Sequence, residues 1–148
     1  MMEGFDIREL SVFEDERGWL TEIFRNDITD FRPVMSYLSM TKSGQIRGPH
    51  EHTEQTDYFC FLGKFRLYLW DNREKSLTYQ QHKVIDTSGL PTVAVVPAGI
   101  VHAYKNVSDE GGMVINMPDR LYKGEGKKEP VDEVRYEDDP ASPFRIIE

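Results

Sequence analysis

The sequence predicts an all-β fold, a small barrel of antiparallel strands, and three observations support this prediction. Short segments rich in β-branched and aromatic residues recur along the chain and are separated by turn residues. In residues 65–70 apolar and polar side chains alternate in part, which suits a strand with one face in the core. No long stretch has the 3.6-residue apolar periodicity of a helix. We therefore expect a β-sandwich or barrel and not an α/β fold.

The strand segments follow one another at short intervals, each bounded by glycine, proline or asparagine. The predicted strands are 5–13, 20–24, 34–40, 57–62, 65–70, 76–84, 92–96, 100–105 and 113–117. Residues 27–31 suit a single helical turn. The C-terminal extension, about 124–148, is charged and contains prolines. We expect this extension to pack over the surface or against a partner and to lie outside the barrel.

Length, charge and cysteine content narrow the class of protein. A chain of 148 residues, of which 39% are hydrophobic, suits a single domain (1–148) with a barrel core at about 34–117. The net charge of −8 opposes binding to nucleic acid. No segment is long and apolar enough to span a bilayer, and the N-terminus lacks the pattern of a signal peptide. With Cys60 as the single cysteine, we predict a cytoplasmic protein that binds neither nucleic acid nor membranes.

Three of the four histidines form a pattern. His50 and His52 are separated by one residue, so on a strand their side chains point to the same face. His102 lies in a second segment, 97–106, that begins with proline and glycine. Most single histidines on strands are structural, and we interpret His82 in that way. The joint spacing of the other three favours a shared site, where histidine acts as acid, base or metal ligand.

These two segments resemble the motifs of the cupin superfamily. Residues 97–106 match Pro-x-Gly-x-x-His-x-x-x-Asn in full, and the segment beginning at Gly44 matches the first motif, which contains His-x-His. The resemblance implies a jelly-roll barrel in which these side chains converge. In metal-binding cupins such residues ligate a divalent ion, whereas in metal-free cupins a histidine acts as general base. The implied metal ligands are His50, His52, Asp57 and His102.

A second resemblance, to the dTDP-4-dehydrorhamnose 3,5-epimerases, covers most of the chain. Residues 15–24 resemble that family's Asp-x-Arg-Gly and Glu-x-Phe opening. Residues 43–50 resemble its Gly-x-x-Arg-Gly-Leu-His block, with Pro49 in place of leucine. The residues around Tyr122 and in 135–140 resemble its C-terminal region. The resemblance implies an enzyme that acts on a nucleotide sugar.

The implied chemistry is proton removal from the carbon next to the 4-keto group of the sugar. By resemblance, His50 takes this proton, and His102 donates to the enolate oxygen on which the negative charge develops. Arg17 and Arg47 would grip the diphosphate, for which a planar guanidinium is well suited. Tyr122 would complete the substrate site. No cofactor is expected for this reaction.

The sequence also departs from the epimerases at two places. Asn116 aligns with the tyrosine that acts as their acid, and their base-orienting aspartate lies in a C-terminal part that the matched segments do not include. Three tyrosines are candidate substitutes for the acid, namely Tyr37, Tyr58 and Tyr104. Residues 47–52 have the Arg-Gly-x-His-x-His form of the related dTDP-sugar 3,4-ketoisomerases. In a ketoisomerase His52 would act as acid or base beside His50.

The position of Arg47 depends on the local geometry of its strand. Regular alternation would put its side chain on the face opposite His50, whereas a bulge at Gly48–Pro49 would change that facing. We predict an epimerase or ketoisomerase that acts as a homodimer on a dTDP-linked 4-keto-6-deoxy sugar. A metal-dependent cupin enzyme and a non-catalytic sugar-binding barrel are the alternatives.

Overall fold

Two five-stranded antiparallel sheets and a separate hairpin make up the fold of residues 1–148, all of which are described by this computed structural model. The strands are β1 (Asp6–Glu9), β2 (Phe13–Asp15), β3 (Gly18–Leu20), β4 (Tyr37–Thr41), β5 (Ile46–Glu51), β6 (Asp57–Leu62), β7 (Phe65–Asp71), β8 (His82–Asp86), β9 (Thr92–Val96), β10 (Ile100–Asn106), β11 (Gly112–Asn116) and β12 (Val134–Arg135). A 3₁₀ turn lies at Glu125–Lys127, and no helix is long and apolar enough to cross a membrane.

The two sheets face each other as the layers of a jelly roll. The first has the strand order β1-β9-β6-β11-β4, and the second has the order β12-β5-β10-β7-β8. All pairings are antiparallel, and β2 pairs only with β3. The prediction of an all-β barrel of antiparallel strands is confirmed.

The alternation of side chains along the strands produces the core between the sheets. Phe59 and Phe61 of β6 point inward and meet Phe65 and Leu67 of β7, together with Tyr104 of β10. The rings of Phe61 and Tyr104 lie edge to face, with centroids 5.2 Å apart. This arrangement of aromatic rings adds to the stability gained by burial. The aromatic core fills one end of the barrel and leaves the other end open to polar side chains.

The outer faces of both sheets are also covered. Tyr58 and Cys60 on the outer face of β6 pack against Ile23 and Phe24, which follow β3. On the outer face of the second sheet, Tyr68, Trp70, Val101 and Ala103 pack against Tyr136, Phe144 and Ile146 of the C-terminal extension. The central strands β6 and β10 are therefore buried on both faces, which explains the nearly continuous apolar sequence of β6.

Several predicted strand boundaries are wrong. The single strand predicted at 5–13 is divided, because β1 joins the first sheet whereas β2 belongs to the hairpin. Residues 21–24 are irregular, and 76–80 form a turn whose hydroxyls bind the Asp71 carboxylate, Ser76 at 2.7 Å and Thr78 at 2.6 Å. The strand β5 is absent from the predicted strands, since glycine and proline interrupt its sequence.

The barrel also extends beyond the predicted core of about 34–117. At the N-terminal side, β1 pairs with β9 through four residue pairs. At the C-terminal side, β12 pairs with β5, so the extension adds an edge strand to the second sheet and does not only pack over the surface. Charge and proline content suggested a peripheral segment, whereas the buried contacts of Tyr136 and Phe144 dock it on the barrel.

Candidate active site

A bulge in β5 arranges the side chains of the site. His102 lies opposite His50 and Tyr104 lies opposite Arg47, so three steps along β5 match two steps along β10. Of the two arrangements considered for Arg47, the structure has the bulge. Gly48 within it has a φ of +92°, and a Cβ there would lie only 2.5 Å from the carbonyl oxygen of His102. Only glycine allows this close approach of the two strands.

The bulge turns Arg47 toward the same cavity as His50 and His52. This cavity has a volume of about 1140 Å³ and opens at the polar end of the barrel. Its walls include Tyr37 of the opposite sheet and the segment 120–138, which follows β11 and crosses the mouth. A cavity of this size accommodates a ligand larger than a free monosaccharide.

His50 lies in an environment that disfavours its charged form. Its side chain is 17% exposed, and its ring centroid is 4.5 Å from that of His102. Burial lowers the pKa of His50 to about 2, and the nearby charges of His102 and His52 contribute in the same direction. His50 is therefore neutral at physiological pH and has a lone pair with which to accept a proton.

His52 lies in an environment that favours its charged form. Its Nε2 is 3.1 Å from Oδ2 of Asp57, and its Nδ1 contacts the backbone carbonyl of Asp132. Burial alone would lower the pKa of His52, but the contact with Asp57 and the Asp132 carbonyl outweigh burial and raise it to about 9. His52 is therefore an imidazolium near neutral pH, in contrast to His50.

Asp57 connects the two sheets at the base of the site. Its side chain is 1% exposed, and Oδ1 accepts hydrogen bonds from the amides of Gln55 at 2.7 Å and Asn116 at 2.9 Å. Burial alone would raise the pKa of Asp57, but contacts with His102 and His52 hold it below its usual range. The ionised carboxylate thus balances the charge of His52.

His102 lies beneath the other two histidines, with a side chain that is 4% exposed. Its Nδ1 is 2.9 Å from the carbonyl oxygen of Ile100, and its Nε2 is 3.4 Å from Oδ2 of Asp57. Neither His102 Nε2 nor Asp57 Oδ2 completes a hydrogen bond of good geometry. His50 and His52 line the cavity, whereas His102 does not. The ring of His102 lies next to both of them on the side away from the cavity.

The same residues offer the donors of a metal site. One ring nitrogen of each of the three histidines lies within 4.8 Å of the corresponding nitrogens of the others. Nε2 of His102 and Oδ2 of Asp57 are buried and make no hydrogen bond of good geometry, and a divalent ion would satisfy such atoms. Three imidazoles therefore fit the donor set of such an ion, and Oδ2 of Asp57 lies beside two of them, 3.1 Å from Nε2 of His52 and 3.4 Å from Nε2 of His102.

Two of the candidate substitute acids, Tyr37 and Tyr104, line the cavity. The fully buried Asn116 donates a hydrogen bond to the Tyr37 hydroxyl at 3.0 Å. The ring of Tyr37 forms part of the cavity wall, and burial of the hydroxyl raises its pKa to about 12. By contrast, Tyr58 donates its hydroxyl to the carbonyl of Ile23 on the outer face of the first sheet. The ring of Tyr104 packs in the aromatic core and also forms part of the cavity wall.

The three predicted substrate-binding residues differ in their position relative to the cavity. The guanidinium of Arg47 donates to the hydroxyl of Thr41 at 3.0 Å and to the carbonyl of Met40 at 2.9 Å, at the wall of the cavity. Tyr122 lies at the cavity rim. Arg17 does not line this cavity, because it sits on the β2–β3 hairpin with a side chain that is 84% exposed and paired with Asp15.

Sequence reasoning missed three polar residues of the site. Gln55 bonds Asp57, Asp132 contacts His52, and Oε1 of Glu133 is 3.7 Å from Nδ1 of His50. Asp132 and Glu133 belong to the extension that we expected to lie outside the barrel. Nothing in their sequence pattern distinguishes them from the surrounding charged residues, so only the docking of β12 reveals them.

Comparison with known proteins identifies the family to which the chain belongs. The profile of the family described as dTDP-4-dehydrorhamnose 3,5-epimerase matches residues 1–139. The chain is 36% identical over 132 residues to the probable low-salt glycan biosynthesis epimerase Agl13 of Haloferax volcanii, covering 84% of this chain and 83% of that protein.

Two solved structures share the fold. A dTDP sugar isomerase from Desulfovibrio desulfuricans G20 has a TM-score of 0.83 and 22% identity, with 97% of this chain and 91% of that chain covered. The 3'-monoepimerase ChmJ from Streptomyces bikiniensis, in complex with dTDP-quinovose, has a TM-score of 0.77 and 21% identity, with 90% and 70% covered. Since the family profile spans nearly the whole chain, the protein belongs to the dTDP-4-dehydrorhamnose 3,5-epimerase family.

Proposed function

We propose that the protein epimerises or isomerises a dTDP-linked 4-keto-6-deoxy sugar by removing a proton from the carbon next to the carbonyl. The observation that carries this proposal is the pair His50 and His52, which line one cavity in surroundings that lower the pKa of His50 and raise the pKa of His52. Two titratable groups whose environments separate their pKa values in this way are suited to opposite roles in acid–base chemistry. Family membership supplies the substrate class.

In the first step, His50 accepts the proton from the sugar carbon. The carbon acid is weak, but the electron pair left behind spreads onto the carbonyl oxygen as an enolate. The neutral imidazole of His50 is available for this step because burial and its histidine neighbours keep it unprotonated. A positioned general base of this kind contributes about 10²–10⁴-fold to the rate.

The enolate requires positive charge close to its oxygen, and His52 is the group suited to supply it. Its imidazolium is held in place by Asp57 and the carbonyl of Asp132, so it needs no rearrangement during the reaction. Because His102 lies behind the cavity wall, the geometry favours His52 over His102 as the group that stabilises the enolate. The remaining role of His102 is to support His50, which its ring contacts.

Epimerisation also requires a proton for the opposite face of the carbon, and Tyr37 is suited to donate it. Tyr37 belongs to β4 of the first sheet, whereas the base belongs to β5 of the second. The amide of Asn116 occupies an acceptor site of the Tyr37 hydroxyl and leaves its proton free. A ketoisomerase would instead need His50 and His52 to move the proton between neighbouring carbons on one face. The role of Tyr37 therefore separates the two reactions.

Substrate binding is assigned to Arg47 and Tyr122 within one chain. Nη1 of Arg47 makes no hydrogen bond to protein, so it is free for a phosphate oxygen. Tyr122 presents its ring at the rim, where a nucleotide base or sugar would stack. No cofactor takes part in the proposed steps.

A homodimer would explain the position of Arg17. The hairpin exposes the side chains of Trp19 and Leu20, which are 57% and 60% exposed, and the edge strand β4 exposes Leu38, which is 60% exposed. Such apolar groups on an edge strand and a protruding hairpin favour pairing with a second copy. A partner's hairpin could then bring Arg17 to a cavity that its own chain cannot reach. The cytoplasmic location stays a prediction.

The test is proton NMR of dTDP-4-keto-6-deoxyglucose in deuterium oxide with and without the protein. We expect deuterium to enter at the carbons next to the keto group, and the exchanged position identifies the stereocentre. A new keto position would indicate ketoisomerisation, whereas an inverted centre would indicate epimerisation. Absence of exchange at every carbon would contradict the proposed function for this substrate.

A second candidate function is a metal-dependent cupin enzyme, and the unpaired buried atoms of His102 and Asp57 favour it. In that case His50, His52, His102 and Asp57 would hold a divalent ion, which as a Lewis acid would polarise a bound carbonyl oxygen. Metal analysis of protein purified without added ions tests this candidate. One equivalent of metal, together with loss of exchange after chelation, would favour it over the metal-free reaction.

A further inference from the structure

Two hydroxyl groups lie beside Arg47 in the cavity and have no role in the steps described above. They belong to Ser39 of β4 and Tyr104 of β10, and both residues line the cavity. Tyr104 lies opposite Arg47, and His102, two residues earlier on the same face of β10, lies opposite His50. The proposed base and the proposed phosphate ligand therefore occupy neighbouring levels of the barrel, and the two hydroxyls lie at the level of the guanidinium.

The Ser39 hydroxyl has no hydrogen-bond partner in the protein, although its Oγ is buried. The residue paired with Ser39 on β11 is Val114, whose apolar side chain offers neither a donor nor an acceptor. A buried hydroxyl without a partner costs free energy, and native proteins contain few of them. Because Ser39 lines the cavity, a bound ligand would complete its hydrogen bonding.

The Tyr104 hydroxyl lies next to that of Ser39 and is held in place by its ring. The ring packs edge to face against Phe61 in the aromatic core, with centroids 5.2 Å apart. Burial raises the pKa of Tyr104, although the hydroxyl of Ser39 and the charge of Arg47 act in the opposite direction. Tyr104 is therefore a neutral phenol at physiological pH, which can donate one hydrogen bond and also accept one.

These two hydroxyls suit the recognition of a third hydroxyl. Tyr104 belongs to the same sheet as His50, whereas Tyr37 belongs to the opposite sheet, so Tyr104 is not placed to protonate the face opposite the base. A neutral pair that can donate and accept matches a sugar hydroxyl, which also does both. The charge that a phosphate requires is supplied by Arg47 beside them.

The positions of the base and the guanidinium indicate which sugar hydroxyl reaches this pair. Carbon 3 is one of the two carbons next to the 4-keto group, and carbon 2 joins it to the anomeric carbon that carries the diphosphate. With His50 at carbon 3 and Arg47 at the diphosphate, the 2-hydroxyl lies between the two levels of the cavity. Ser39 and Tyr104 border this part of the cavity.

We propose that Ser39 and Tyr104 form a subsite for the 2-hydroxyl of the sugar and select 2-hydroxy sugars over 2-deoxy sugars. The Tyr104 hydroxyl donates to the sugar oxygen, and the sugar hydroxyl donates to Oγ of Ser39. A 2-deoxy sugar would leave both protein hydroxyls unpaired, and a site built in this way rejects an analogue that lacks the hydroxyl. The inference rests on the proposed function for the substrate class and for the position of the base.

The test is calorimetric titration with dTDP-glucose and with its 2-deoxy analogue, neither of which has a keto group that would allow reaction. We expect the wild type to bind the 2-deoxy analogue about 10-fold more weakly than dTDP-glucose. In Ser39→Ala and in Tyr104→Phe the affinity for dTDP-glucose should fall, while the affinity for the analogue stays the same. The ratio of the two dissociation constants should therefore approach one in each variant.

The matched control is Tyr68→Phe. Its hydroxyl donates to Glu148 on the outer face of the second sheet, away from the cavity, so this variant should keep the wild-type ratio. Thermal unfolding without ligand monitors folding. Ser39→Ala should not lower the Tm, because it removes a hydroxyl that has no partner in the protein.

An equal loss of affinity for both ligands in Ser39→Ala and Tyr104→Phe would overturn the inference, since the hydroxyls would then contact a group that both ligands share. A wild type that binds the two ligands equally, or that does not bind dTDP-glucose, would also overturn it. Selective binding of dTDP-glucose without proton exchange on the 4-keto sugar would support the subsite and contradict the proposed function. The two failures are therefore distinguishable.

Discussion

The surroundings of His50 and His52 differ more than their separation of one residue suggests. His50 faces the ring of His102 and the distant carboxylate of Glu133, and burial makes it neutral. His52 faces the buried carboxylate of Asp57, which makes it a cation. Alternation along a strand determines that two side chains share a face, but their protonation depends on groups that come from other strands.

The largest effect is expected from removal of the neutral histidine. In His50→Ala the exchange rate should fall about 10³-fold, because His50 is the cavity histidine whose pKa is lowered and which therefore acts as the base. Deuterium incorporation measured by NMR would show this loss. The control is His82→Ala, which removes a histidine stacked on Trp70 at 4.7 Å, outside the cavity. Equal exchange by His50→Ala and wild type would contradict the assignment of the base.

The second-largest effect is expected from substitution of Tyr37, which lies on the opposite sheet from His50. Tyr37→Phe removes the proposed acid and keeps the ring, so formation of the inverted sugar should fall about 100-fold. Proton removal by His50 should continue, and exchange at the carbon should therefore outlast inversion. Comparison of the two rates in one NMR sample measures this separation. Tyr58→Phe serves as the control, because its hydroxyl bonds the carbonyl of Ile23 on the outer face of the first sheet, away from the cavity. Unchanged inversion by Tyr37→Phe would favour ketoisomerisation or another acid.

The pH dependence tests the charge of His52 directly. Because its pKa is raised to about 9, the imidazolium persists from neutral pH up to that value and is lost above it. The rate should therefore fall only as the pH rises through about 9. Neutral His50, with a pKa lowered to about 2, causes no decrease in this range.

The variant Asp57→Asn should remove the difference between the two histidines. Without the carboxylate, only the Asp132 contact of the two still opposes burial, so the pKa of His52 should fall from about 9 toward its ordinary value of 6.5. At pH 8 the charged fraction, and with it the rate, should fall by up to about 30-fold. In the rate measured from pH 5 to 10, the decrease should then begin at a lower pH than in the wild type. A decrease that stays at about 9 would mean that Asp57 does not set the charge of His52.

The smallest effect on turnover is expected from Asp132, whose carboxylate anchors the C-terminal extension to the loop after His52. The effect of its substitution is measured as a change in the stability of the fold. Burial alone would raise the pKa of Asp132, but bonds from Thr53, Glu54 and Gln55 lower it to about 2. The stabilisation is complete above the unfolded-state pKa near 3.8 and is lost as the pH falls through about 2. Asp132→Asn should lower the free energy of unfolding at pH 7 by about 2 kcal/mol. This corresponds to a decrease of about 6 °C in Tm.

Thermal unfolding at several pH values would measure this change. Between pH 4 and 2 the wild type should lose stability more steeply than Asp132→Asn, because only the wild type has this carboxylate to protonate. The exposed Asp109 offers a control, Asp109→Asn, that should leave the profile unchanged. Parallel acid profiles for wild type and Asp132→Asn would show that the Asp132 bonds do not stabilise the fold.

The local sequence predicted most of the barrel strands, because alternation and turn residues are local signals. The prediction from local sequence failed where contacts with residues far away in the chain determine the structure. The strand β5 contains a glycine and a proline that disfavour a central strand, yet pairing with β10 holds it in the sheet. Similarly, the charged extension appeared peripheral until the burial of Tyr136 and Phe144 docked it.

The sequence by itself determined the all-β class, the shared face of His50 and His52, and the two motifs that identify the third histidine. These features depend on strand periodicity and on the spacing of a few residue types. Only the tertiary structure decided which of the two histidines is neutral and which is charged. It also decided that Asp132 and Glu133 belong to the site. Burial and charge–charge interactions act through space, and the residues that produce them are separated by up to about 80 positions along the chain.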